Sequence, residues 1–564
     1  MVKVVTTEQM REIERATDAA GVSYDQMMQH AGRAVAEVVK LLLGNNPPER
    51  RVAVLVGPGN NGGDGLVAAR ILKEDTGAEV GCYLAKQRGE GDPVFEATRA
   101  AGVFIAVAED DQRWRVLKNL VSNADVLIDA LLGTGARLPI EGDLKKIMEV
   151  AAGALIRGPL DREIVAWPAA PVRATHSRPM VVAVDCPSGL DCDTGMLDPV
   201  ALRADMTVTF AAAKFGQLAF PGADAVGELI VADIGTPIGL PALAEVQVEL
   251  ATGRGVGGLL PKRPRDAHKG TFGRAVILAG SVNYTGAAAL AGAAAYRVGA
   301  GLVTLAVPQI IHPILAAQLP EATWLLLPHD MGVINEVALE VFLNEVGELD
   351  ALLIGPGLGR EEQTARFMRG LIRGPGRTTR GSLGFVPAGG RATDGSLSYQ
   401  LPASLVIDAD GLNLLCDIEQ WWELLPPNTV LTPHPGEMAR LTGLDRETIQ
   451  ADRIGVAREK ATQWNCVVVL KGAFTVVAAP DQRVIVIPFA TDALATAGTG
   501  DVLGGCIVGL MAQGADPFSA AVAGAYIHGL AGKVAGEETT SRSVVAGDVL
   551  RAIPLAMPIL ESPG

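Results

Sequence analysis

A glycine turn followed by a carboxylate, AGTGD at residues 497–501, has residue types suited to phosphate chemistry. Apolar residues recur at helical spacing directly after it: Leu503, Cys506, Ile507, Leu510 and Met511. The turn is therefore predicted to lie at a helix N-terminus, where unpaired amides and the helix dipole favour a phosphoryl group. Asp501 could there accept a proton from a substrate hydroxyl. These features predict a kinase-like site, and the alternative is a plain turn with a helix cap.

A lysine and two carboxylates follow other predicted strands of the C-terminal half. Lys471 comes directly after the apolar run 467–470, where it could meet a phosphate while the following turn meets a nucleotide. Asp408 and Asp410 end the run 405–407 in the same way. For the lysine, the alternative is an ordinary solvated side chain.

A histidine and a glutamate lie three residues apart around a proline turn, at His434 and Glu437. A glycine turn, GPGLG at residues 355–359, closes another predicted strand and would admit a ligand close to the backbone. The alternatives here are a structural histidine and a surface glutamate. Each feature is weak alone, and together they favour a site.

The N-terminal half contains GPGNNGGDG at residues 57–65, between the predicted strand 52–56 and a predicted helix at 66–72. Five glycines in nine residues let backbone amides approach an anion closely. The spacing differs from the dinucleotide-binding G-x-G-x-x-G pattern. Side-chain oxygens of Asn60, Asn61 and Asp64 suit a hard cation or ribose hydroxyls.

Two further strand ends of this half carry polar residues. Asp129 lies in IDALLGTG at residues 128–135, and Asp185 lies in VDCPSG at residues 184–189. In a doubly wound sheet, the carboxyl ends of the strands line the ligand crevice, so the three loops are predicted to converge. The alternative is that both aspartates are helix caps and the glycines form plain turns.

Length and composition limit the possible architectures. The 564 residues exceed the size at which single cores stop growing, about 250 to 300 residues, so two domains are expected. A hydrophobic share of 49% with 4% aromatics and 66 glycines favours aliphatic sheets with many turns. A net charge of -15 argues against nucleic-acid binding, which needs clustered Lys and Arg.

The absence of some sequence patterns excludes other classes. The six cysteines show no C-x-x-C pair, so we expect reduced thiols and no zinc site. No uncharged apolar run reaches about 18 residues, and the N-terminus lacks a signal-peptide core, so no membrane association and a cytoplasmic enzyme are expected.

Short aliphatic runs alternate with helical stretches in both halves, which predicts an α/β fold with two domains. The N-terminal sheet is expected to be mainly parallel and doubly wound, or Rossmann-like. A Pro- and Gly-rich passage places the boundary near residue 245, with domains at residues 1–240 and 250–564. Two apparent insertions, residues 153–179 and 372–401, are predicted to be surface loops.

Residues 1–235 resemble the NAD(P)H-hydrate epimerase family, above all through the GPGNNGGDG run. The resemblance implies a potassium ion held by Asn61, Asp129 and Ser188, and Asp185 as the acid/base that inverts C6. It also implies contacts to the hydrated nicotinamide nucleotide from the three loops: Asn60, Asn61, Gly62, Gly63, Asp64, Gly133, Thr134, Gly135, Ala136, Arg137, Leu138, Pro139 and Asp185.

Residues 255–564, apart from the second insertion, resemble the ribokinase-like fold and within it the ADP- or ATP-dependent NAD(P)H-hydrate dehydratases. The discriminating segments are HKGTFG at 268–273, YTGAA at 284–288 and HPGEM at 434–438. The resemblance implies that the hydrate contacts Ala287, Gly357, His434 and Asp501. Contacts to ADP or AMP are implied for Lys471, Gly472, Ala473, Phe474, Thr475 and Gly500. Mg²⁺ would bridge the nucleotide phosphates, with Glu437 as its link to the protein.

Together the two resemblances imply repair of a damaged cofactor. The N-terminal domain would interconvert the R and S forms of NADHX and NADPHX, and the C-terminal domain would dehydrate the S form to NAD(P)H. The second step would consume ADP, giving AMP and phosphate, or ATP. A homo-oligomer is expected from the same resemblance. The alternatives are a vitamin or sugar kinase fused to a non-catalytic ligand-binding module, and a regulatory nucleotide sensor.

Overall fold

The computed structural model describes residues 1–89, 91–155, 178–374 and 401–561. The chain divides into two compact units, residues 2–246 and residues 247–564 with Met1. Each contains a mainly parallel sheet, so the predicted class of two α/β domains is confirmed. Almost all of the two predicted insertions lies outside the described residues.

The N-terminal unit alternates strands and helices. Its strands are β1 (Val2–Val5), β2 (Arg51–Val56), β3 (Glu79–Leu84), β4 (Phe104–Val107), β5 (Val126–Ala130), β6 (Met180–Val184), β7 (Met206–Phe210), β8 (Ala213–Lys214) and β9 (Glu228–Ala232). Its helices are α1 (Thr7–Ala19), α2 (Tyr24–Leu43), α3 (Asn60–Thr76), α4 (Pro93–Ala100), α5 (Arg115–Asn123), α6 (Gly142–Leu155), α7 (Ala223–Val226) and α8 (Pro241–Ala244).

Seven of these strands form one sheet in the order β4-β3-β2-β5-β6-β7-β9, with every neighbouring pair parallel. Helices cover both faces, since Val52, Val54 and Val56 of β2 join one buried cluster while Ala53 and Leu55 join another. Burial on both faces explains the unbroken aliphatic runs. The carboxyl ends of β2, β5 and β6 therefore lie side by side.

The C-terminal unit contains more strands and helices than the N-terminal unit. Its strands are β10 (Val248–Leu250), β11 (Arg274–Leu278), β12 (Leu302–Pro308), β13 (Thr323–Leu327), β14 (His329–Asp330), β15 (Val333–Ile334), β16 (Ala351–Ile354), β17 (Leu405–Ile407), β18 (Val430–Leu431), β19 (Val467–Leu470), β20 (Val476–Ala478) and β21 (Val484–Val486). Its helices are α9 (Gly253–Gly257), α10 (Thr285–Arg297), α11 (His312–Gln318), α12 (Ala338–Glu345), α13 (Glu362–Arg373), α14 (Asp410–Leu415), α15 (Pro435–Thr442), α16 (Arg446–Ala451), α17 (Arg453–Trp464), α18 (Thr499–Ala512), α19 (Pro517–Glu538) and α20 (Ala546–Glu561).

Most of these strands form one sheet in the order β13-β12-β11-β16-β17-β18-β19-β20-β21-β10, while β14 and β15 pair with each other. The pairs are parallel except at β20, which is antiparallel to both of its neighbours. Helices α10, α18, α19 and α20 pack into the main buried cluster of the unit. The strands β16, β17, β18 and β19 thus end along one edge, which is where the predicted site residues follow them.

Two local predictions differ from the structure. The glycine run is not all loop, because α3 already begins at Asn60. The Pro- and Gly-rich passage at the boundary is not all linker, because Thr252 Oγ1 accepts a hydrogen bond from the Gly255 N–H and caps the short helix α9. The chain starts with strand β1 before helix α1, whose N-terminus is capped reciprocally by Thr6 and Gln9.

Four of the six thiols that were expected to be reduced are free: Cys82, Cys416, Cys466 and Cys506. Cys186 and Cys192 lie next to each other, but their Cα atoms are 7.2 Å apart, beyond the roughly 4.4–6.8 Å of ordinary disulfides, so reduced thiols stay the prediction for this pair. The chain turns back after β6 through the hydrogen bond from Leu190 N–H to Pro187 O, and this turn brings the two cysteines together. The helices of the described residues are all too short or too polar to cross a membrane.

Close packing between α10 and α18 predicts the effect of a single added methyl group. A Cβ atom built onto Gly505 would lie 2.2 Å from the Ala291 carbonyl oxygen. We expect Gly505→Ala to lower the free energy of unfolding by about 1–3 kcal/mol, because the backbones must separate. Gly547→Ala is the control, since a Cβ there meets nothing within 4 Å. Calorimetric unfolding of both variants measures the difference, and equal transitions would contradict the expectation.

Candidate active sites

Asp129 and Ser188 join the ends of β5 and β6 in the N-terminal unit. Ser188 Oγ donates to Asp129 Oδ1 over 2.6 Å, and the Ser188 N–H donates to Oδ2 over 2.8 Å. Asp129 is fully buried, and burial raises the pKa of its carboxyl although the Ser188 hydrogen bonds lower it. The structure therefore brings these two predicted ligands into direct contact.

The glycine run folds closely on itself and against the loop after β5, so that Gly57 and Gly62 leave no room for a side chain. A Cβ atom on Gly62 would lie 2.0 Å from the Gly57 carbonyl oxygen, and one on Gly57 would lie 1.8 Å from the Leu131 oxygen. Gly133 lies against two predicted site residues, because its Cβ would be 3.1 Å from Asn61 Oδ1 and 3.3 Å from Asp185 Oδ2. The three predicted loops thus converge.

The donor set fits the cation expected at Asn61, Asp129 and Ser188. Asn61 Nδ2 is buried and finds no hydrogen-bond partner among the described residues, so this NH2 group is available to an acceptor oxygen of a bound ligand, whereas a cation would be held by Asn61 Oδ1. Asp129 is a buried carboxylate whose pKa burial raises, and a cation would offset that effect. Amide, carboxylate and hydroxyl oxygens suit a hard cation. Within the described ranges, no three His, Cys, Asp or Glu side chains cluster as a metal site.

Asp185 follows β6 in an unusual backbone conformation. Its φ is +62°, and the Cys186 N–H bonds to the Val184 carbonyl across it over 2.7 Å, which is a tight γ-turn. Its Oδ1 accepts hydrogen bonds from Lys214 Nζ at 2.6 Å and from Thr209 Oγ1 at 3.0 Å. A positive φ in a residue with a side chain is strained backbone, which concentrates at functional sites.

Two more carboxyls surround Asp185. Burial raises the pKa of Asp64 well above its ordinary value, with the charges of Asp185 and Glu14 acting in the same direction and Arg88 opposing them. Burial and the charge of Asp185 raise the pKa of Glu14. Protons are therefore held more tightly on these two carboxyls than in water. Sequence reasoning found Asp64 but missed Glu14, which lies on α1 far along the chain.

The remaining residues predicted to contact the hydrate lie around this crevice. Asn60 begins α3, and the Cβ of a side chain at Gly63 would lie 2.8 Å from Met28 Sδ. Arg11 lines a small polar cavity together with the loop residues Thr134, Gly135, Ala136 and Arg137. Leu138 packs against the hydrophobic core, and Pro139 follows it.

In the C-terminal unit, the predicted helix N-terminus is confirmed. Gly498 caps α18 with a φ of +89°, so Thr499, Gly500 and Asp501 form the first turn. Their amides start the helix and carry its positive dipole end. A Cβ on Gly500 would lie 3.5 Å from Lys471 Nζ, which puts the ammonium group beside these amides.

Lys471 is an ion-paired residue and not a solvated one. Its Nζ donates to Asp408 Oδ1 over 2.7 Å and lies 3.7 Å from Glu437 Oε2. Burial lowers the pKa of Lys471, but the charges of Asp408 and Glu437 outweigh this and raise it overall. The alternative of an ordinary surface lysine is therefore wrong.

Asp501 has the electrostatic properties of a general base. Burial and the charge of Asp408, together with that of Asp410, raise its pKa to about 7, and Lys471 opposes the shift. Asp408 itself is buried, and its Oδ2 has no hydrogen-bond partner in the described part of the chain. A base whose pKa lies near the working pH transfers protons efficiently.

His434 and Glu437 cap the start of α15 reciprocally. His434 Nδ1 accepts hydrogen bonds from the N–H groups of Gly436 at 2.9 Å and Glu437 at 3.3 Å. The His434 N–H in turn donates to Glu437 Oε2 over 2.8 Å. Burial and the charge of Lys471 lower the pKa of His434 to about 4, so the ring is neutral. The histidine thus caps the helix while its side chain stays half-exposed, and the glutamate is buried rather than on the surface.

A cavity of about 380 Å³ lies beside the start of α18. It is lined by predicted nucleotide contacts: Lys471, Gly472, Ala473, Thr475 and Gly500. Phe474 lies in the same turn, with its N–H bonded to the Phe489 oxygen. Apolar side chains also line it: Ile487, Phe489, Leu494 and Leu503. The cavity thus offers apolar walls to a flat ring and amides to phosphate.

His528 of α19 also lines this cavity, and no sequence pattern marks it as a site residue. It lies within an apolar run that reads as core helix. The side chain is buried, its Nε2 finds no hydrogen-bond partner in the described ranges, and burial lowers its pKa to about 4.

Ala287 and Gly357, predicted to contact the hydrate, lie next to each other. Gly357 has a φ of +63°, and a Cβ on it would lie 2.9 Å from Ala287 Cβ. The same helix α10 reaches the turn before α18, because a Cβ on Gly498 would lie 2.8 Å from Leu290 Cδ1. The β16 turn, α10 and the start of α18 therefore form one continuous surface.

The chain is similar over nearly its whole length to proteins named bifunctional NAD(P)H-hydrate repair enzyme. It is 36% identical to that of Moorella thermoacetica, over 99% of this chain and 97% of the relative. It is 32% identical to that of Escherichia coli, over 97% and 92%. Two family models match, YjeF-related protein N-terminus at residues 24–216 and NAD(P)H-hydrate dehydratase at residues 275–555.

Among solved structures, the chain is similar to an ADP/ATP-dependent NAD(P)H-hydrate dehydratase from Bacillus subtilis, co-crystallized with ATP/Mg²⁺. The two are 28% identical, the match covers 56% of this chain and 99% of that one, and the TM-score is 0.45.

The raised pKa of Asp501 predicts how its removal changes stability with pH. The folded protein keeps this proton up to pH about 7, whereas the unfolded chain releases it near 3.8, so the wild type loses stability as the pH rises between these values. Asp501→Asn does not titrate. We expect it to be more stable than the wild type at pH about 8, with the two converging toward pH about 4.

Urea unfolding across this pH range measures the effect. Asp266→Asn, at an exposed position, is the control and should show no such divergence. A constant difference between Asp501→Asn and the wild type at every pH would contradict the raised pKa.

Proposed function

Because the chain belongs to the family of bifunctional NAD(P)H-hydrate repair enzymes, we propose that residues 1–240 epimerise the R and S forms of NADHX and NADPHX. Residues 250–564 dehydrate the S form to NADH or NADPH at the expense of ADP or ATP. Fusion serves this purpose, since one domain produces the epimer that the other consumes.

The observation that carries the dehydratase assignment is the position of Asp501 at the N-terminus of α18, beside Lys471. Hydroxide leaves carbon poorly, whereas phosphate leaves well. Asp501 takes the proton of the C6 hydroxyl, and the C6 oxygen attacks the terminal phosphorus of the nucleotide. The bond between this phosphorus and the rest of the nucleotide breaks as the new bond forms. Phosphate then leaves C6 with the bonding electrons, and loss of a proton from C5 restores the ring double bond.

The residues around Asp501 bind the other parts of the nucleotide. The amides at the start of α18 hold the transferring phosphoryl group, and the Lys471 ammonium lies beside them. Ile487 and Phe489 supply the apolar wall for the adenine. The two carboxylates nearest Lys471, Asp408 and Glu437, fit a magnesium ion because Asp408 Oδ2 has no partner in the described part of the chain. When bound, Mg²⁺ supplies positive charge to the nucleotide phosphates.

In the N-terminal domain, Asp185 is the proposed acid/base. In the open form, the hydroxyl proton is removed as the bond from C6 to the ring nitrogen breaks and the nitrogen takes up a proton, and the reverse steps close the ring on the other face of C6. In the iminium-like form, the acid instead protonates the hydroxyl, which leaves as water and adds back to the other face. Asp185 Oδ2 faces the Asn61 and Gly133 loops, where the hydrate would lie. Potassium held by Asn61, Asp129 and Ser188 would add positive charge beside the bound nucleotide.

The substrates are small molecules, and two wider expectations remain predictions. One is a homo-oligomer, which analytical ultracentrifugation of the full chain would test. The other is a cytoplasmic location, which fractionation of cells that produce the protein would test.

A direct assay tests the proposed function. Purified protein given hydrated NADH, ADP and Mg²⁺ should regain the absorbance of reduced nicotinamide and release AMP and phosphate. Both R and S forms should be consumed, and a parallel sample with ATP identifies the preferred donor. Stable phosphorylated product without elimination would instead favour a vitamin or sugar kinase. No recovery with either nucleotide would contradict the proposal.

Two matched variants should separate the activities within one chain. Asp185→Asn should slow epimerisation by about 10²–10⁴-fold and leave dehydration of the S form unchanged, because a positioned acid/base contributes about that much. Asp501→Asn should do the reverse. The activity that each variant retains shows that the chain still folds. Both activities are followed by chromatography of the R and S forms. Full turnover by Asp501→Asn would revive a regulatory nucleotide sensor.

A further inference from the structure

Lys214, at the end of β8, is a buried charge that the proposed reaction does not yet use. It is fully buried, and its Nζ donates to Asp185 Oδ1 at 2.6 Å, to Thr209 Oγ1 at 2.6 Å and to the Phe210 carbonyl at 3.3 Å. An ammonium group has three protons to donate, so these three contacts satisfy it. A lysine buried without such partners would be costly.

The two oxygens of the Asp185 carboxylate have different surroundings. Oδ1 receives Lys214 and the Thr209 hydroxyl. Oδ2 faces the other way, toward Gly133 and Asn61, where a Cβ on Gly133 would lie 3.3 Å from it. Lys214 thereby fixes the rotation of the carboxylate and directs a single oxygen at the crevice.

The same segment also holds the backbone of Asp185. Gln217 Nε2 donates to the Asp185 carbonyl over 2.8 Å, and Gln217 Oε1 accepts the Lys214 N–H over 2.8 Å. Residues 214–217 thus hold both the side chain and the main chain of Asp185. These contacts stabilise the backbone conformation of Asp185, whose φ is +62°.

The charges around Asp185 give Lys214 a second role. Glu14 of α1 and Asp64 of α3 face the same space, and Arg11 and Arg88 act on these two carboxyls. Among the described residues, Lys214 is the cation that bonds to Asp185 directly. Without it, Asp185 would face two carboxyls with no bonded countercharge.

We propose that Lys214 is a positioning residue for epimerisation, which orients Asp185 so that Oδ2 takes and returns the C6 hydroxyl proton. This inference rests on the proposed function of the N-terminal domain. Lys214 does not touch the substrate, so its loss should reduce turnover and spare binding. A displacement of about 1 Å at a catalytic group can cost about 10²-fold in rate.

The test uses the full chain with Lys214→Met, which keeps the length of the side chain and removes its charge. Conversion of the R form to the S form gives kcat and KM after subtraction of the uncatalysed rate. We expect kcat to fall about 100-fold while KM for the R form changes less than about threefold. Dehydration of the S form by the same sample should be unchanged.

Three further variants keep the test decisive. Lys118→Met, an exposed lysine of the same unit, should match the wild type. Lys214→Arg keeps a cation and should retain more turnover than Lys214→Met. If Lys214→Met does not fold, Thr209→Val removes one hydroxyl from the same cluster and should lower kcat about tenfold without changing KM.

Two results would overturn the inference. One is a kcat for Lys214→Met within about threefold of the wild type, and the other is a parallel loss of kcat, substrate binding and thermal stability in both cluster variants. Failure of the wild type to epimerise would instead refute the proposed function of the domain, and this inference with it.

Discussion

A lysine paired with a buried aspartate at the end of a strand is the interaction on which both sites depend. Lys214 lies 2.6 Å from Asp185 in the N-terminal unit, and Lys471 lies 2.7 Å from Asp408 in the C-terminal unit. Removing two charges from water costs several kcal/mol each, so such pairs stabilise a fold poorly, yet loss of one partner costs about 3–5 kcal/mol. Each pair therefore fixes geometry more than it adds stability.

The two pairs have different effects on the carboxylate that does chemistry. In the N-terminal unit the lysine bonds to Asp185 itself and settles which oxygen faces the crevice. In the C-terminal unit the lysine bonds to Asp408, and Asp501 stands beside that pair with a pKa raised to about 7. One site thus fixes orientation, and the other adjusts proton affinity. Both follow from parallel strands that end along one edge of a sheet.

Local patterns allowed much of this to be predicted. Strand β2 matches the predicted run at residues 52–56, because a strand buried on both faces carries apolar side chains on both. The start of α18 could be placed because its apolar spacing and the Gly498 turn are both contained in a few residues. The convergence of Asn61 and Asp185 followed from the rule that ligands bind at strand ends.

What the sequence could not reveal depends on contacts between distant residues. Lys214 bonds to a carboxylate 29 residues earlier, and Lys471 to one 63 residues earlier. No residue next to either lysine in the sequence marks it as ion-paired. His528 lies within an apolar helix, so only its neighbours in space distinguish it from a core residue. The capping role of His434 depends only on residues 434–437, so the sequence alone allows this role to be considered.

The early start of α3 has a thermodynamic consequence for the N-terminal site. A nine-residue glycine loop would have to lose backbone freedom when it closes on a nucleotide, at a cost of about 1–2 kcal/mol for each residue that becomes fixed. Residues from Asn60 onward are already helical, and Gly62 is held against the Gly57 carbonyl. The conformational entropy is lost once, when the domain folds. Ligand binding then meets a surface whose amides and side chains are in place.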